Sequence, residues 1–265
     1  MHAAERHRII LNLLSEQEFV SFHVLLHLLD ASPATLRRDL ERLQIDGKLS
    51  RVHGGAQPCA GARGGGFHLQ GVPFHENINW NRAAKEAIGR SAADLCQQGD
   101  AVIIDGGSTT LQMCAGLEPL GLQVLTNSLH IVSTLLRQPN TRVSIPGGVV
   151  FREQNIVLNP FDDISTQSFH ASRMFVGAAA VTRHGLMQSD VILVQAERKL
   201  LTLTEELVVL VDSSKFRTYA GHNLCDLSKV DTLITDSDIG DASAKMIEDA
   251  GIQLIVVDPG HGKVR

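Results

Sequence analysis

The sequence predicts an α/β protein in two parts, an N-terminal winged helix-turn-helix followed by a larger domain built on a largely parallel sheet. Three observations predict it. A capped, two-faced helix at 32–43 is followed by a short strand and a glycine turn; the stretch from 57 to 79 is rich in glycine and proline; beyond it, apolar strand-like runs alternate with amphipathic helical ones. The boundaries read from these changes are 1–57 for the first domain, 58–77 for a linker and 78–265 for the second domain.

In the first part, Ile9, Ile10, Leu13 and Leu14 mark one amphipathic helix. Val24, Leu25, Leu28 and Leu29, behind the candidate cap Ser21, mark a second. Ser32 suits an N-cap and Pro33 the first helical turn, where its missing N–H costs nothing. Leu36, Leu40 and Leu43 then form a stripe at i, i+4 and i+7, which leaves Ala34, Thr35, Arg37, Arg38, Glu41 and Arg42 off it. Leu49 and Val52, with Arg51 and His53 between and beyond them, predict a short strand running into a Gly54-Gly55 turn, where a wing would hold cations beside phosphates.

Net charge does not by itself point to nucleic acid. Residues 1–57 carry seven Lys/Arg against seven Asp/Glu, and the whole chain is at −5 with a pI near 6.2. Position is what counts: Arg37, Arg38, Arg42, Lys48 and Arg51 all fall on the candidate reading helix and wing. A local DNA-binding face is expected, reinforced by assembly into a homodimer or homotetramer, because one small module buries little DNA surface.

Length and composition exclude several classes. With 265 residues, 43% of them hydrophobic, the chain can bury two cores. It contains no run of about 18 apolar residues, and Met1-His2-Ala3-Ala4-Glu5-Arg6 opens into a helical pattern without a signal-like apolar segment, so a cytoplasmic protein without a membrane partner is expected. Cys59, Cys96, Cys114 and Cys225 are widely spaced, the histidines form no metal-binding motif, and the single Trp80 and Tyr219 are too few for a base-stacking platform. Reduced thiols, no metal, no cofactor and no single-stranded nucleic acid site are expected.

The second domain reads as helix 82–97, strand 101–105, helix 110–115, strand 123–126, helix 129–137, strand 142–145, strand 173–176, helix 191–202, strand 207–211, strand 232–235, helix 242–250 and strand 252–257. In open parallel sheets ligands collect beyond the carboxyl ends of the strands. There the chain carries Asp105-Gly106-Gly107-Ser108-Thr109-Thr110, Thr126-Asn127-Ser128, Pro146-Gly147-Gly148, Gly177-Ala178-Ala179 and Asp212-Ser213-Ser214-Lys215. Glycines that admit backbone, hydroxyls and one lysine make a candidate phosphate cradle. Neither an ATP-binding P-loop nor the G-x-G-x-x-G dinucleotide spacing is present, which points to a small phosphorylated molecule.

Ser32-Pro33-Ala34-Thr35-Leu36-Arg37-Arg38-Asp39-Leu40 and Arg51-Val52-His53-Gly54-Gly55-Ala56 resemble the N-terminal domain of the DeoR family of bacterial transcriptional repressors. The 105–109, 126–128, 146–148 and 212–216 motifs resemble its C-terminal sensor domain, which is similar to ribose-5-phosphate isomerase and recognises sugar phosphates. Within the family, Thr126–Val132 is similar to regulators of glucitol use and Ala196-Glu197-Arg198-Lys199 to regulators of ascorbate use, so the effector stays open. The resemblance implies operator contacts from Ser32, Ala34, Thr35, Arg37, Arg38, Arg42, Arg51 and His53. It implies effector contacts from Asp105, Gly106, Gly107, Ser108, Thr109, Thr110, Thr126, Asn127, Ser128, Gly147, Gly148, Arg152, Glu197, Lys199 and Lys215.

A sugar-phosphate isomerase needs carboxylates to move a proton between carbons. Where the isomerases carry a run of the type Gly-Ala-Asp-Glu, this chain has Gly177-Ala178-Ala179-Ala180-Val181, and alanine takes no proton. The expectation is therefore a non-catalytic repressor governed by a sugar phosphate. An isomerase fused to a DNA-binding module, or a winged helix used for protein contacts, are the alternatives.

Overall fold

The computed structural model describes residues 2–16, 19–29, 31–45, 48–52, 54–58, 69, 71–159 and 168–260. The chain divides into two compact units, 1–67 and 68–265.

The first unit runs α1 (Ala3–Glu16), β1 (Val20–Ser21), α2 (Phe22–Leu29), α3 (Pro33–Ile45), β2 (Leu49–Val52) and β3 (Gly55–Pro58). Its core is the set of helical stripes the spacing predicts: Ile10 and Leu14 from α1, Leu25 and Leu29 from α2, Leu36, Leu40 and Leu43 from α3. The second stripe is narrower than predicted. Val24 and Leu28 stand 50% and 52% exposed, because a helix of two turns presents only one i, i+4 pair to a core on one side. Ser21 Oγ accepts from the Val24 N–H at 3.2 Å, and Ser32 Oγ from the Thr35 N–H at 3.2 Å, so both predicted caps form.

Strands β2 and β3 pair antiparallel with Val52 opposite Gly55, and β3 also pairs with β1. The wing turn thus lies one residue earlier than predicted. Gly54, at φ +86°, is in it, whereas Gly55 begins β3. A side chain at Gly54 would be strained in that left-handed conformation. Asp39, which the stripe argument left out, is a buried residue of α3 and ties that helix to α1: Arg6 Nε donates to Oδ2 at 2.6 Å, and His7 Nε2 lies 2.9 Å from Oδ1. Burial pushes this carboxyl up, but the bonds to Arg6 and His7 outweigh it and hold Asp39 below the ordinary aspartate range.

The second unit begins with α4 (Phe74–Asn77) and α5 (Arg82–Ala93). It continues with β4 (Ala101–Ile104), a 3-10 helix (Thr110–Gly116), β5 (Gln123–Leu125), α6 (Leu129–Leu135), β6 (Arg142–Ser144), β7 (Val149–Phe151) and β8 (Ile156–Leu158). Then come β9 (Ala171–Val176), β10 (Ala180–Thr182), β11 (Gly185–Gln188), α7 (Val191–Leu201), β12 (Thr204–Leu210), β13 (His222–Cys225), β14 (Thr232–Asp236), α8 (Asp241–Asp249) and β15 (Gln253–Val257). A seven-stranded sheet of order β15-β14-β12-β9-β4-β5-β6 has every pair parallel. Successive residues face opposite sides: Val102 and Ile104 pack with Ile88 of α5 and Ile131 of α6, while Ile103 packs with Val194 of α7 and Ile247 of α8. This doubly covered parallel sheet is the predicted fold class.

Three features depart from the prediction. The predicted helix at 110–115 is a 3-10 helix. The antiparallel sheet β10-β11-β13 and the β7–β8 hairpin are additional to the predicted elements. The expected linker reached to residue 77, yet Leu69 and Phe74 are buried in the second unit and α4 occupies 74–77. The surrounding glycines and prolines masked those two anchors; residues 59–68 lie outside the described ones. Among the described residues no helix is long and apolar enough to cross a membrane.

Candidate functional site

On the first unit, Ser32 is exposed at the cap of α3, α3 exposes Ala34, Arg37, Arg38 and Arg42 with Thr35 half-buried, and Arg51 is exposed on β2. The Leu36/Leu40/Leu43 stripe turns this cationic face outward by burying the other one. Arg37 lies over the Phe22 ring at 5.7 Å, and the Thr35 hydroxyl is 2.9 Å from Ser32 Oγ. His53 lies outside the described residues.

In the second unit a cleft of about 350 Å³ opens at the carboxyl ends of β4, β9 and β12. Its floor is Asp105-Gly106-Gly107-Ser108-Thr109, Gly177-Ala178-Ala179, Leu210-Val211 and Lys215; one wall holds Gln188, Ser189, Leu193 and Glu197, and another holds Gly71, Val72, Phe74, Asn77 and Trp80. The floor loop is shaped by Thr110, whose hydroxyl donates to the Asp105 carbonyl at 2.7 Å and accepts from the Gly107 N–H at 2.9 Å. Gly106 is sterically required: a Cβ there would fall 2.4 Å from Ile156 Cγ2, where the β7–β8 hairpin closes on the loop. Lys215 is fixed by the turn that Asp212 caps, its N–H donating to the Asp212 carbonyl at 3.0 Å and Asp212 Oδ1 accepting from the Ser214 N–H at 3.1 Å.

Glu197 and Asp105 are 0% and 3% exposed and hydrogen-bonded to each other. Gln188 Nε2 donates to both Glu197 oxygens at 2.9 and 3.0 Å, and Asn127 Nδ2 donates to Asp105 Oδ1 at 3.2 Å. Burial pushes Glu197 well above the usual glutamate range, the charge of Asp105 pushes it further, and Gln188 opposes both only in part. Asp105 is also raised by burial, against the Gly106 N–H, Asn127 and Glu197, which hold it down. Two carboxyls this deep hold a proton between them, and burial together with the Asp105 charge favours Glu197 as the protonated partner.

A pH dependence follows. Below the ordinary glutamate value of 4.5 the folded and unfolded chains both hold the Glu197 proton; as pH rises the unfolded chain releases it first, so this group's contribution to stability is lost with rising pH. Glu197→Gln, a neutral near-isostere, should flatten the decline of urea-melt stability between pH 5 and the pH where the folded carboxyl ionises. An unaltered pH profile would place the proton elsewhere.

Of the predicted effector residues, the cleft gathers Asp105, Gly106, Gly107, Ser108, Thr109, Glu197 and Lys215. Thr110, Thr126, Asn127 and Ser128 stand behind its floor: Thr126 Oγ1 accepts from the Ser128 N–H at 3.1 Å, and Ser128 caps α6. Asn127 Oδ1 is buried with no partner among the described residues. Gly147, Gly148, Arg152 and Lys199 are exposed and do not line the cleft, Gly148 being packed against the Leu158 carbonyl instead. Sequence reading missed Gln188, the 71–80 wall and Lys85. For Lys85 a signal existed, because it falls on the same helical face as the buried Ile88 and Ala92 of α5.

Residues 6–60 match the DeoR-like helix-turn-helix domain and residues 80–237 the DeoR C terminal sensor domain. The chain belongs to the DeoR family. It is 33% identical over 260 residues, 97% of this chain and 100% of the relative, to the HTH-type transcriptional regulator UlaR of Shigella dysenteriae serotype 1, and to the same extent to UlaR of Escherichia coli strain K12 / DH10B. Solved structures similar to parts of it include ribose 5-phosphate isomerase A from Methanocaldococcus jannaschii, at 17% identity and TM-score 0.37 over 51% of this chain and 54% of that one. Translation initiation factor eIF-2B from Pyrococcus horikoshii OT3 is 16% identical at TM-score 0.35, over 81% of this chain and 67% of the other. The protein is thus a DeoR-type DNA-binding transcriptional regulator with a sensor domain, and the relatives it matches over nearly its whole length are named transcriptional regulators.

Proposed function

We propose that this DeoR-family regulator represses a sugar or sugar-alcohol utilisation operon and that a phosphorylated sugar, bound in the cleft of the second unit, controls it. The cleft carries the reading. Lys215 with the hydroxyls of Ser108 and Thr109 suits a phosphate, and the buried Glu197–Asp105 pair suits neutral hydroxyls that donate and accept hydrogen bonds. Similarity to UlaR over nearly the whole chain supports placing it among DeoR-type regulators with a sensor domain.

On the DNA side, α3 enters the major groove, with Thr35, Arg37 and Arg38 at base edges, Ser32, Ala34 and Arg42 beside them, and Arg51 with His53 on phosphates of the wing side. The exposure of Ser32, Ala34, Arg37, Arg38, Arg42 and Arg51 supports this assignment. The working form is a homodimer or homotetramer on repeated half-sites in the cytoplasm, since a single winged module at net charge −5 supplies too few phosphate contacts for tight specific binding.

Calorimetry with hexose, pentose, hexitol and ascorbate phosphates, each beside its unphosphorylated parent, tests the proposal. Heat with at least one ester, little with its parent, and a change in affinity for the chain's own upstream DNA are expected. Equal affinity for an ester and its parent would remove the phosphate from the reading, and isomerisation of the bound ester would restore the enzyme alternative.

A further inference from the structure

One wall of the cleft is the stretch of chain that follows the DNA-binding unit in sequence, and it is fastened at several points. Leu69 is buried with Phe151, Ile156 and Leu158; Gln154 Nε2 donates to the Val72 carbonyl at 2.8 Å; the Phe74 N–H donates to the Glu153 carbonyl at 2.9 Å. The Phe74 ring stacks on His130 at 4.2 Å. At the other end, Asn81 Nδ2 donates to Asp212 Oδ1 at 2.7 Å, next to the turn that carries Lys215.

The fastening at Asn77 is chemically unusual. Lys85, on α5, is 1% exposed, and its ammonium donates to the Asn77 backbone carbonyl and, at 3.1 Å, to Asn77 Oδ1. An ammonium buried against neutral oxygens is held at a cost that an apolar side chain in the same place would not incur. Burial pushes Lys85 down to about 8, with Asp212 drawing it back up and Lys215 pressing it lower. The compensation is local: both oxygens it engages belong to Asn77, the last residue of α4 and part of the cleft lining.

We infer that Lys85 is a positioning residue which latches the 71–80 segment over the cleft, so that an occupant touching Asn77 and Trp80 is felt by the chain leading to the DNA-binding unit. The inference rests on the cleft being the effector site. Contacts between an occupant and this wall exist only while the wall is seated, so binding favours the seated form by the free energy of those contacts; by linkage, unseating the wall weakens effector binding and effector control together.

The test uses the full chain as Lys85→Met, Lys85→Arg and Gln154→Ala, the last removing the bond to the Val72 carbonyl from a side chain that also lines the cleft, so that its hydrogen exchange is read without any ester as well as its response. Hydrogen exchange, measured without any sugar phosphate, should rise about tenfold for the amides of 74–80 in Lys85→Met while β4 and β9 stay protected. The ratio of DNA dissociation constants with and without the ester that gives the largest calorimetric heat should fall at least about fivefold towards unity in Lys85→Met, and should fall in Gln154→Ala. Lys85→Arg should restore most of it. In the wild type that ratio should shrink as pH passes about 8, whereas in Lys85→Arg it should not, because the guanidinium keeps its proton. A responsive wild type with equally responsive Lys85→Met and Gln154→Ala chains, or unchanged exchange at 74–80, overturns the latch alone. A wild type deaf to every ester overturns the effector reading and the coupling built on it.

Discussion

Replacing Arg37 and Arg38 together with alanine should abolish specific operator binding and leave the chain folded. Both side chains are exposed on the face of α3 opposite the buried Leu36, Leu40 and Leu43, so their loss opens no cavity. A good bidentate contact to a base edge discriminates by about 1–3 kcal/mol, hence a loss of roughly five- to 150-fold for each single variant. Arg38→Ala is the cleaner of the two, because Arg37 also covers the Phe22 ring and its removal forfeits a contact within the domain. Arg51→Ala should differ in kind: it should weaken all duplexes alike and lower the salt slope by about 1. Fluorescence anisotropy on the chain's own upstream DNA reads both effects, and unchanged affinity in the two singles and the double would remove α3 as the reading helix.

How much of this was legible in the sequence depended on whether a feature has a period or a local geometric demand. Ser32-Pro33, the leucine stripe and the strand–helix alternation have one, and the first unit and the seven-stranded sheet were readable from them. The glycines at 106–107 followed from the rule about strand ends. Asp39 was not legible, because its partners Arg6 and His7 lie more than 30 positions away and nothing in a helical repeat announces a buried ion pair. The same holds for Gln188 and the 71–80 wall, which reach the cleft through the short antiparallel strands and through a segment whose composition imitates a linker. Exposed Gly147, Arg152 and Lys199 show the converse: the resemblance implies them as effector contacts, while the backbone turns them to the surface and away from the cleft lining.

Lys215→Met should remove the phosphate-dependent part of effector binding while preserving the cleft. The residue follows a turn held by Asp212, Ser214 and Asn81, none of which engages the Lys215 side chain in that role, so methionine can take the same backbone place and keep the aliphatic length. What disappears is one positive charge among neutral donors. A hydrogen bond to a charged group contributes about 1.5–3 kcal/mol, which converts to a loss of roughly 10- to 150-fold for an ester. The loss for its unphosphorylated parent should be slight, so the discrimination between the two should narrow in the variant. Glu197→Gln acts at the opposite wall and should leave that discrimination intact while altering affinity for ester and parent alike. Calorimetry on the three chains separates the two ends of the cleft. If Lys215→Met lost no affinity for an ester that the wild type binds, the cation would have to come from elsewhere and the assignment of Lys215 to the phosphate would fall.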